Sequence, residues 1–178
     1  MSLPLRSIAN ALTVGRAVAG FPLILALQFG WQGWAWWLLL LAGLSDAADG
    51  WLARRAGGGS SWGARLDPLT DKVLIAAPLL WLASSGVLPL WAVWLLLARE
   101  LLISGWRAEA SDGAPASSSG KAKTILQFVS LLLMLWPSGW LGAPSLASLG
   151  WWLFWPSLAL AMSSALGYIK PRSAPDHH

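Results

Sequence analysis

Apolar residues gather along this chain into six stretches, at about 10–29, 33–54, 68–85, 88–109, 121–137 and 147–167. Each falls in or near the roughly 17–25 residues that a helix needs to cross a bilayer. Short turns such as Phe29–Gly33 and Ser84–Gly86 separate some of them, and two polar loops, Gly57–Ser61 and Ser111–Ser119, separate others. The pattern predicts an all-α fold, an integral membrane bundle of six transmembrane helices. Residues 1–9, where Leu3, Leu5 and Ile8 surround Arg6, read as a short interfacial helix ahead of it. A single domain over 1–172 and a tail over 173–178 follow, and His177 and His178 read as part of that tail and not as ligands.

Composition agrees. Of 178 residues, 56% are hydrophobic and 11% charged, and the mean hydropathy is +0.58, which excludes an ordinary soluble globule. The absence of cysteine excludes a disulfide framework and a thiolate metal site. The first apolar stretch carries Arg16 and lacks the charged-then-apolar order of a cleaved leader, so it is expected to stay with the bundle.

The net charge of +4 is distributed by topology and points to no nucleic-acid partner. With six spans, all 12 Lys and Arg fall on one side: Arg6, Arg16, Arg54, Arg55, Arg65, Lys72, Arg99, Arg107, Lys121, Lys123, Lys170 and Arg172. The positive-inside rule then puts both termini and the aspartates at the cytoplasmic face of the membrane. Trp31, Trp34, Trp36, Trp37, Trp81, Trp91, Trp94, Trp136, Trp140, Trp151, Trp152 and Trp155 lie toward the opposite ends, as an interfacial aromatic belt does.

Against this background four acids stand out. Asp46 and Asp49 are spaced i, i+3 and Asp67 and Asp71 i, i+4, so on helices each pair shares a face. Gly50 and Ala53 keep that face of the first helix small. Asp67 before Pro68 reads as an N-cap, so that the second pair opens its helix. An ionised carboxylate in a bilayer costs several kcal/mol, and four together call for a strongly cationic partner, most simply a divalent metal. Counting from Arg54, Asp46 lies roughly 12 Å along its helix, in a shallow cavity open to the cytosol. Salt bridges to Arg54, Arg55, Arg65 and Lys72 are the structural alternative. They leave the paired spacing and the small residues unexplained.

The run D-x2-D-G-x2-A-R-x8-G-x3-D-x3-D, formed by Asp46, Asp49, Gly50, Ala53, Arg54, Gly63, Asp67 and Asp71, resembles the signature of the CDP-alcohol phosphotransferase family at every fixed position. The segments Arg99-Glu100 to Arg107 and Ser119-Gly120-Lys121-Ala-Lys123-Thr124 to Gln127 look like the bacterial phosphatidylglycerophosphate synthases within it. The resemblance covers about Asn10 to Gln127, and the C-terminal third reads as apolar helix only.

The resemblance implies an enzyme that transfers a phosphatidyl group from CDP-diacylglycerol to glycerol 3-phosphate and releases CMP. It implies that Asp46, Asp49, Asp67 and Asp71 bind two Mg²⁺ or Mn²⁺ ions, and that Asp71 is also the catalytic base. Gly50, Ala53, Arg54 and Gly63 would cradle the cytidine diphosphate, and Asn10, Thr13 and Arg16 match the family's N-terminal motif toward the donor. Arg99, Arg107, Lys121 and Lys123 supply cations suited to the acceptor phosphate, with Glu100 and Glu109 to orient the arginines. A homodimer is implied as well. Inositol phosphate, serine or phosphatidylglycerol are alternative acceptors within the family, and a Mg²⁺ transporter or metal-binding membrane protein is the alternative outside it.

Overall fold

A computed structural model describes residues 3–55, 61–109 and 118–169, and within them the side chains of 14–16, 18–45, 70, 72–105 and 123–165. Six helices form among the described residues: α1 (Leu3–Gln28), α2 (Gln32–Arg55), α3 (Ser61–Ser84), α4 (Leu90–Glu109), α5 (Ser118–Met134) and α6 (Ala143–Ile169). They match the six predicted stretches, and no strand occurs among these residues.

Two expectations change. The segment predicted as a separate interfacial helix is the start of α1, which runs unbroken from Leu3. Pro4 stands in the first turn, where its missing N–H has no helical partner to lose. Asp67 does not cap α3 but lies inside it, because the helix begins at Ser61 and Ala64, Arg65 and Leu66 are good helix formers.

The turns follow simple rules. Gly30 and Gly86 have φ near +75°, the left-handed conformation that ends a helix. Beyond them Trp31 donates its N–H to the Ala26 carbonyl and Val87 to that of Leu82, satisfying carbonyls that the helix leaves open. Such tight turns force neighbouring helices to run in opposite directions.

The packing is cyclic. α1 lies against α2 and α3, α3 against α4, α4 against α6, α6 against α5, and α5 against α2, with a further contact between α3 and α5 across the ring. The most extensive pairs are α5 with α6 and α1 with α3. Both rest on small residues. Gly20 brings α1 onto the α3 backbone at Val73 and Leu74, and Gly150 lets α6 lie on α5, where the Ser130 hydroxyl donates to the Gly150 carbonyl (2.8 Å). At Gly43 the ring of Phe128 occupies the place of a side chain, which closes α2 on α5.

Inside the ring the middle is apolar: Leu23, Leu39, Leu79, Leu96, Leu131 and Phe154 are buried. One end of the core is aromatic. Trp36 packs edge-on against Trp37, Trp136 and Trp140, and its indole N–H donates to the Leu132 carbonyl (2.9 Å). Trp36 is therefore a core residue and not part of an outer belt, whereas Trp31, Trp34, Trp91, Trp94 and Trp152 are exposed. The outer surface is strongly apolar too, with Phe21, Leu80, Leu101, Leu102 and Ile125 facing outward. Among the described residues α6, over Ala143–Ala165, is long and apolar enough by itself to cross a membrane, and shorter apolar segments occupy Val14–Gln28, Lys72–Ser84 and Lys123–Met134.

The α5–α6 contact gives a direct test. A Cβ at Gly150 would stand 2.6 Å from the Met134 nitrogen and 2.8 Å from the Ser130 carbonyl oxygen, and backbone cannot swing aside as a side chain can. Gly150→Ala should destabilise the fold by about 1–3 kcal/mol, lowering the melting temperature of purified protein by at least ~2 °C. An unchanged melting temperature would contradict this packing.

Candidate functional site

The end of the bundle opposite the tryptophans gathers the polar residues. Helix register shows how. Trp36 opposite Leu132 and Gly43 against Phe128 fix α2 and α5 as antiparallel, so Asp46 and Asp49 come to the level of residues 121–125 on α5. Gly20 against Val73 and Leu74 brings Arg16 of α1, one turn earlier, to the level of Thr70 and Asp71 on α3. Arg99 of α4 on Ala161, and the Val87 carbonyl just before α4 on Trp151, show α4 and α6 to be parallel, and Glu100 of α4 meets Lys123 of α5. Each helix thus contributes polar residues to this end.

Within that layer the described side chains form one network. Arg99 donates through Nε to the Ala161 carbonyl (3.0 Å), through Nη2 to Ser164 Oγ (2.5 Å) and through Nη1 to Glu100 Oε1 (2.9 Å). Lys123 donates through Nζ to the same Glu100 oxygen. The Ser164 hydroxyl donates in turn to the Ala161 carbonyl (2.9 Å). One carboxylate therefore joins α4 to α5, and one guanidinium joins α4 to α6. The side chains of Arg99, Lys123 and Glu100 are only 10%, 6% and 18% exposed, so their charges are worth pairing.

This arrangement orders the predicted site residues. Arg99 and Lys123, both predicted to face the acceptor, are brought together by Glu100. Three of the five N–H groups of Arg99 are already engaged, which makes it an anchor as much as a ligand. Among the described residues Lys123 engages one of its three donors, at Glu100. Arg16, expected near the donor, is buried at 2% exposure. The backbones of Asn10 and Thr13 lie on α1, those of Asp46, Asp49, Gly50, Ala53 and Arg54 on α2, those of Gly63, Asp67 and Asp71 on α3, that of Arg107 on α4 and that of Lys121 on α5. The side chains of these residues lie outside the described set, as does Glu109.

The C-terminal third corrects another expectation. It is not apolar helix only, since Ser164 and the Ala161 carbonyl hold Arg99. The Ser163–Ser164 pair in the otherwise apolar stretch is the sequence signal that could have shown it.

Among the described residues no three His, Cys, Asp or Glu side chains gather. The four aspartates lie on α2 and α3, which both pack on α1 and both touch α5. Four hard carboxylate donors in two helical pairs suit Mg²⁺ or Mn²⁺, whose chemistry favours oxygen ligands shared with phosphate. The donor set thus fits a divalent ion.

The shared carboxylate predicts strong coupling. Glu100→Gln or Lys123→Gln alone strands a buried charge and should destabilise the fold markedly, whereas the double variant removes both charges. In thermal unfolding the double variant should be more stable than the sum of the single effects implies, by about 1–3 kcal/mol. Additive effects would contradict the network.

The profile of the CDP-alcohol phosphatidyltransferase family matches residues 6–163. The chain is 38% identical over 161 residues to a cardiolipin synthase (CMP-forming) of Streptomyces coelicolor, covering 83% of this chain and 74% of that protein. It is 33% identical over 164 residues to the CDP-diacylglycerol–glycerol-3-phosphate 3-phosphatidyltransferase of Escherichia coli, covering 86% and 87%. A probable phosphatidylglycerophosphate synthase of Mycobacterium tuberculosis is 38% identical over 139 residues, 74% of this chain and 66% of that protein. In fold, the chain is similar to the apo crystal structure of the M. tuberculosis phosphatidylinositol phosphate synthase, with a TM-score of 0.62 at 22% identity, covering 98% of this chain and 93% of that one.

Proposed function

The chain belongs to the CDP-alcohol phosphatidyltransferase family, and from that premise we propose that it transfers a phosphatidyl group from CDP-diacylglycerol to glycerol 3-phosphate, giving phosphatidylglycerophosphate and CMP. The observation that carries the acceptor is the cationic cluster at the ends of α4 and α5, where Glu100 holds Lys123 and Arg99 together. Glycerol 3-phosphate is a dianion and needs such a surface. The 33% identity to the E. coli enzyme, which extends over most of both chains, supports the same reading. A phosphatidylglycerol acceptor is the second reading, favoured by the S. coelicolor relative. Transfer, not transport, is the chemistry of the family.

Six spans fit the outward-facing apolar side chains, because exposed patches of this extent mark a membrane or a partner. In this reading the polar end faces the cytoplasm of a bacterial inner membrane, where a lipid head group and a soluble phosphoalcohol can meet.

The residues divide the work. Bound Mg²⁺ or Mn²⁺ supplies the charge neutralisation that lets a diphosphate approach four carboxylates. Asp46, Asp49, Asp67 and Asp71 hold the ions. Gly50, Ala53 and Gly63 leave room for the cytidine diphosphate against the helix backbones, and Arg54, with Asn10, Thr13 and Arg16, contacts its charged groups. Arg107, Lys121 and Lys123 hold the acceptor phosphate while Arg99 fixes their frame. Asp71 accepts the proton of the attacking hydroxyl. A new P–O bond then forms to the phosphatidyl phosphorus as the bond to CMP breaks.

Two outcomes are expected in assays of purified protein. Asp71→Asn should lower CMP release by about 10²–10⁴-fold at saturating Mg²⁺, and retention of more than a few per cent of wild-type turnover would remove Asp71 from both roles. Arg107→Ala or Lys121→Ala should raise the acceptor KM roughly ten- to hundredfold, with the CDP-diacylglycerol KM nearly unchanged. Equal rises in both constants would reject the acceptor assignment while leaving the transferase in place.

A further inference from the structure

Gln127 lies one turn beyond Lys123 on α5, and it is 3% exposed. Its amide makes no hydrogen bond to any described residue. The neighbours on its stripe each have a protein partner: Lys123 donates to Glu100 and Ser130 to the Gly150 carbonyl. Lys123, Gln127 and Ser130, at i, i+4 and i+7, make a polar line that runs from the charged end of the bundle toward its apolar middle.

Among the described residues Gln127 is thus a nearly buried residue whose amide, with two donors and an acceptor oxygen, has no protein partner, although polar groups inside folded chains nearly always have one. The amide therefore suits a partner that comes from outside the chain.

We propose that Gln127 is a specificity-determining residue, hydrogen-bonding the non-reacting hydroxyl of a small phosphoalcohol acceptor whose phosphate sits on the cations one turn nearer the polar end. The inference rests on the glycerol 3-phosphate reading above and deepens it. One helical turn, about 5.4 Å, is the scale on which a three-carbon phosphoalcohol separates its phosphate from its hydroxyls. An amide both donates and accepts, as a hydroxyl partner requires. Lys123 and Gln127 project from one face of one helix, so a single acceptor can engage both. The phosphate then stays at the polar end, and the alcohol points inward.

The test compares two acceptors with CDP-diacylglycerol and the purified full-length protein: glycerol 3-phosphate, and 3-hydroxypropyl phosphate, which keeps the primary hydroxyl and the phosphate but lacks the second hydroxyl. Wild type should prefer glycerol 3-phosphate by roughly 10- to 100-fold in kcat/KM. Gln127→Met, close in shape but without the amide, should lose that preference by slowing glycerol 3-phosphate alone, with 3-hydroxypropyl phosphate within about threefold of wild type. Its melting temperature without substrate should be unchanged or higher, since no internal hydrogen bond is lost. Gln127→Asn, which keeps a shortened amide, should retain part of the preference.

Equal loss with both acceptors, accompanied by a lower melting temperature, would show a structural role and overturn the proposal. Unchanged selectivity in Gln127→Met would overturn it too, leaving the amide to solvent. Wild-type turnover of phosphatidylglycerol but of neither phosphoalcohol would overturn the acceptor reading and this proposal together. Turnover of glycerol 3-phosphate with no discrimination would sink the role of Gln127 alone.

Discussion

The carboxylate of Glu100 is the point on which the polar end of this molecule depends. It accepts from Lys123 on α5 and from Arg99 on its own helix, while Arg99 reaches the Ala161 carbonyl and Ser164 on α6. Three charges with little exposure are stable there only because they are paired, and pairing fixes three helices at one level. Two cations on one carboxylate leave a positive charge in excess. In the proposed reaction an anionic acceptor would meet a surface already shaped for it, with little ordering left to oppose binding.

The same constraint explains the order of layers. Charges gather where each helix reaches one end of the bundle, leucines fill the middle, and tryptophans close the other end through edge-on contacts and the bond from Trp36 to Leu132. Small residues let the helices approach: Gly20, Gly43 and Gly150 stand where α1 meets α3, α2 meets α5 and α5 meets α6. Gly43 lies one turn before Asp46. The contact that closes α2 on α5 is therefore also the one that sets the level of the first aspartate pair.

Much of this was legible in the sequence. Hydropathy gave six helices, because each apolar run ends in glycine-rich or polar turns such as Gly30 and Gly86. Residue type and spacing singled out the acids and cations, and with them the family. What stayed hidden depended on tertiary contact. Trp36 has the same side chain as the exposed Trp34, and only the neighbouring Trp136 and Trp140 make it a core residue. Ser164 resembles any helix serine until Arg99 reaches it. Asp67 before Pro68 matched a cap by local rule, yet the good helix formers ahead of it extend α3 back to Ser61. The roles of the four aspartates rest on pattern and family membership, since their side chains lie outside the described residues.

The names of the relatives differ in the product they give, so the identity of the product decides the central claim. Purified protein in lipid nanodiscs, given CDP-diacylglycerol, Mg²⁺ and an equimolar mixture of ¹³C-labelled glycerol 3-phosphate, inositol phosphate and phosphatidylglycerol, can be read by mass spectrometry of the lipid extract. The account predicts labelled phosphatidylglycerophosphate in one-to-one stoichiometry with CMP. Cardiolipin or phosphatidylinositol phosphate as the main product, with no label in phosphatidylglycerophosphate, would contradict it.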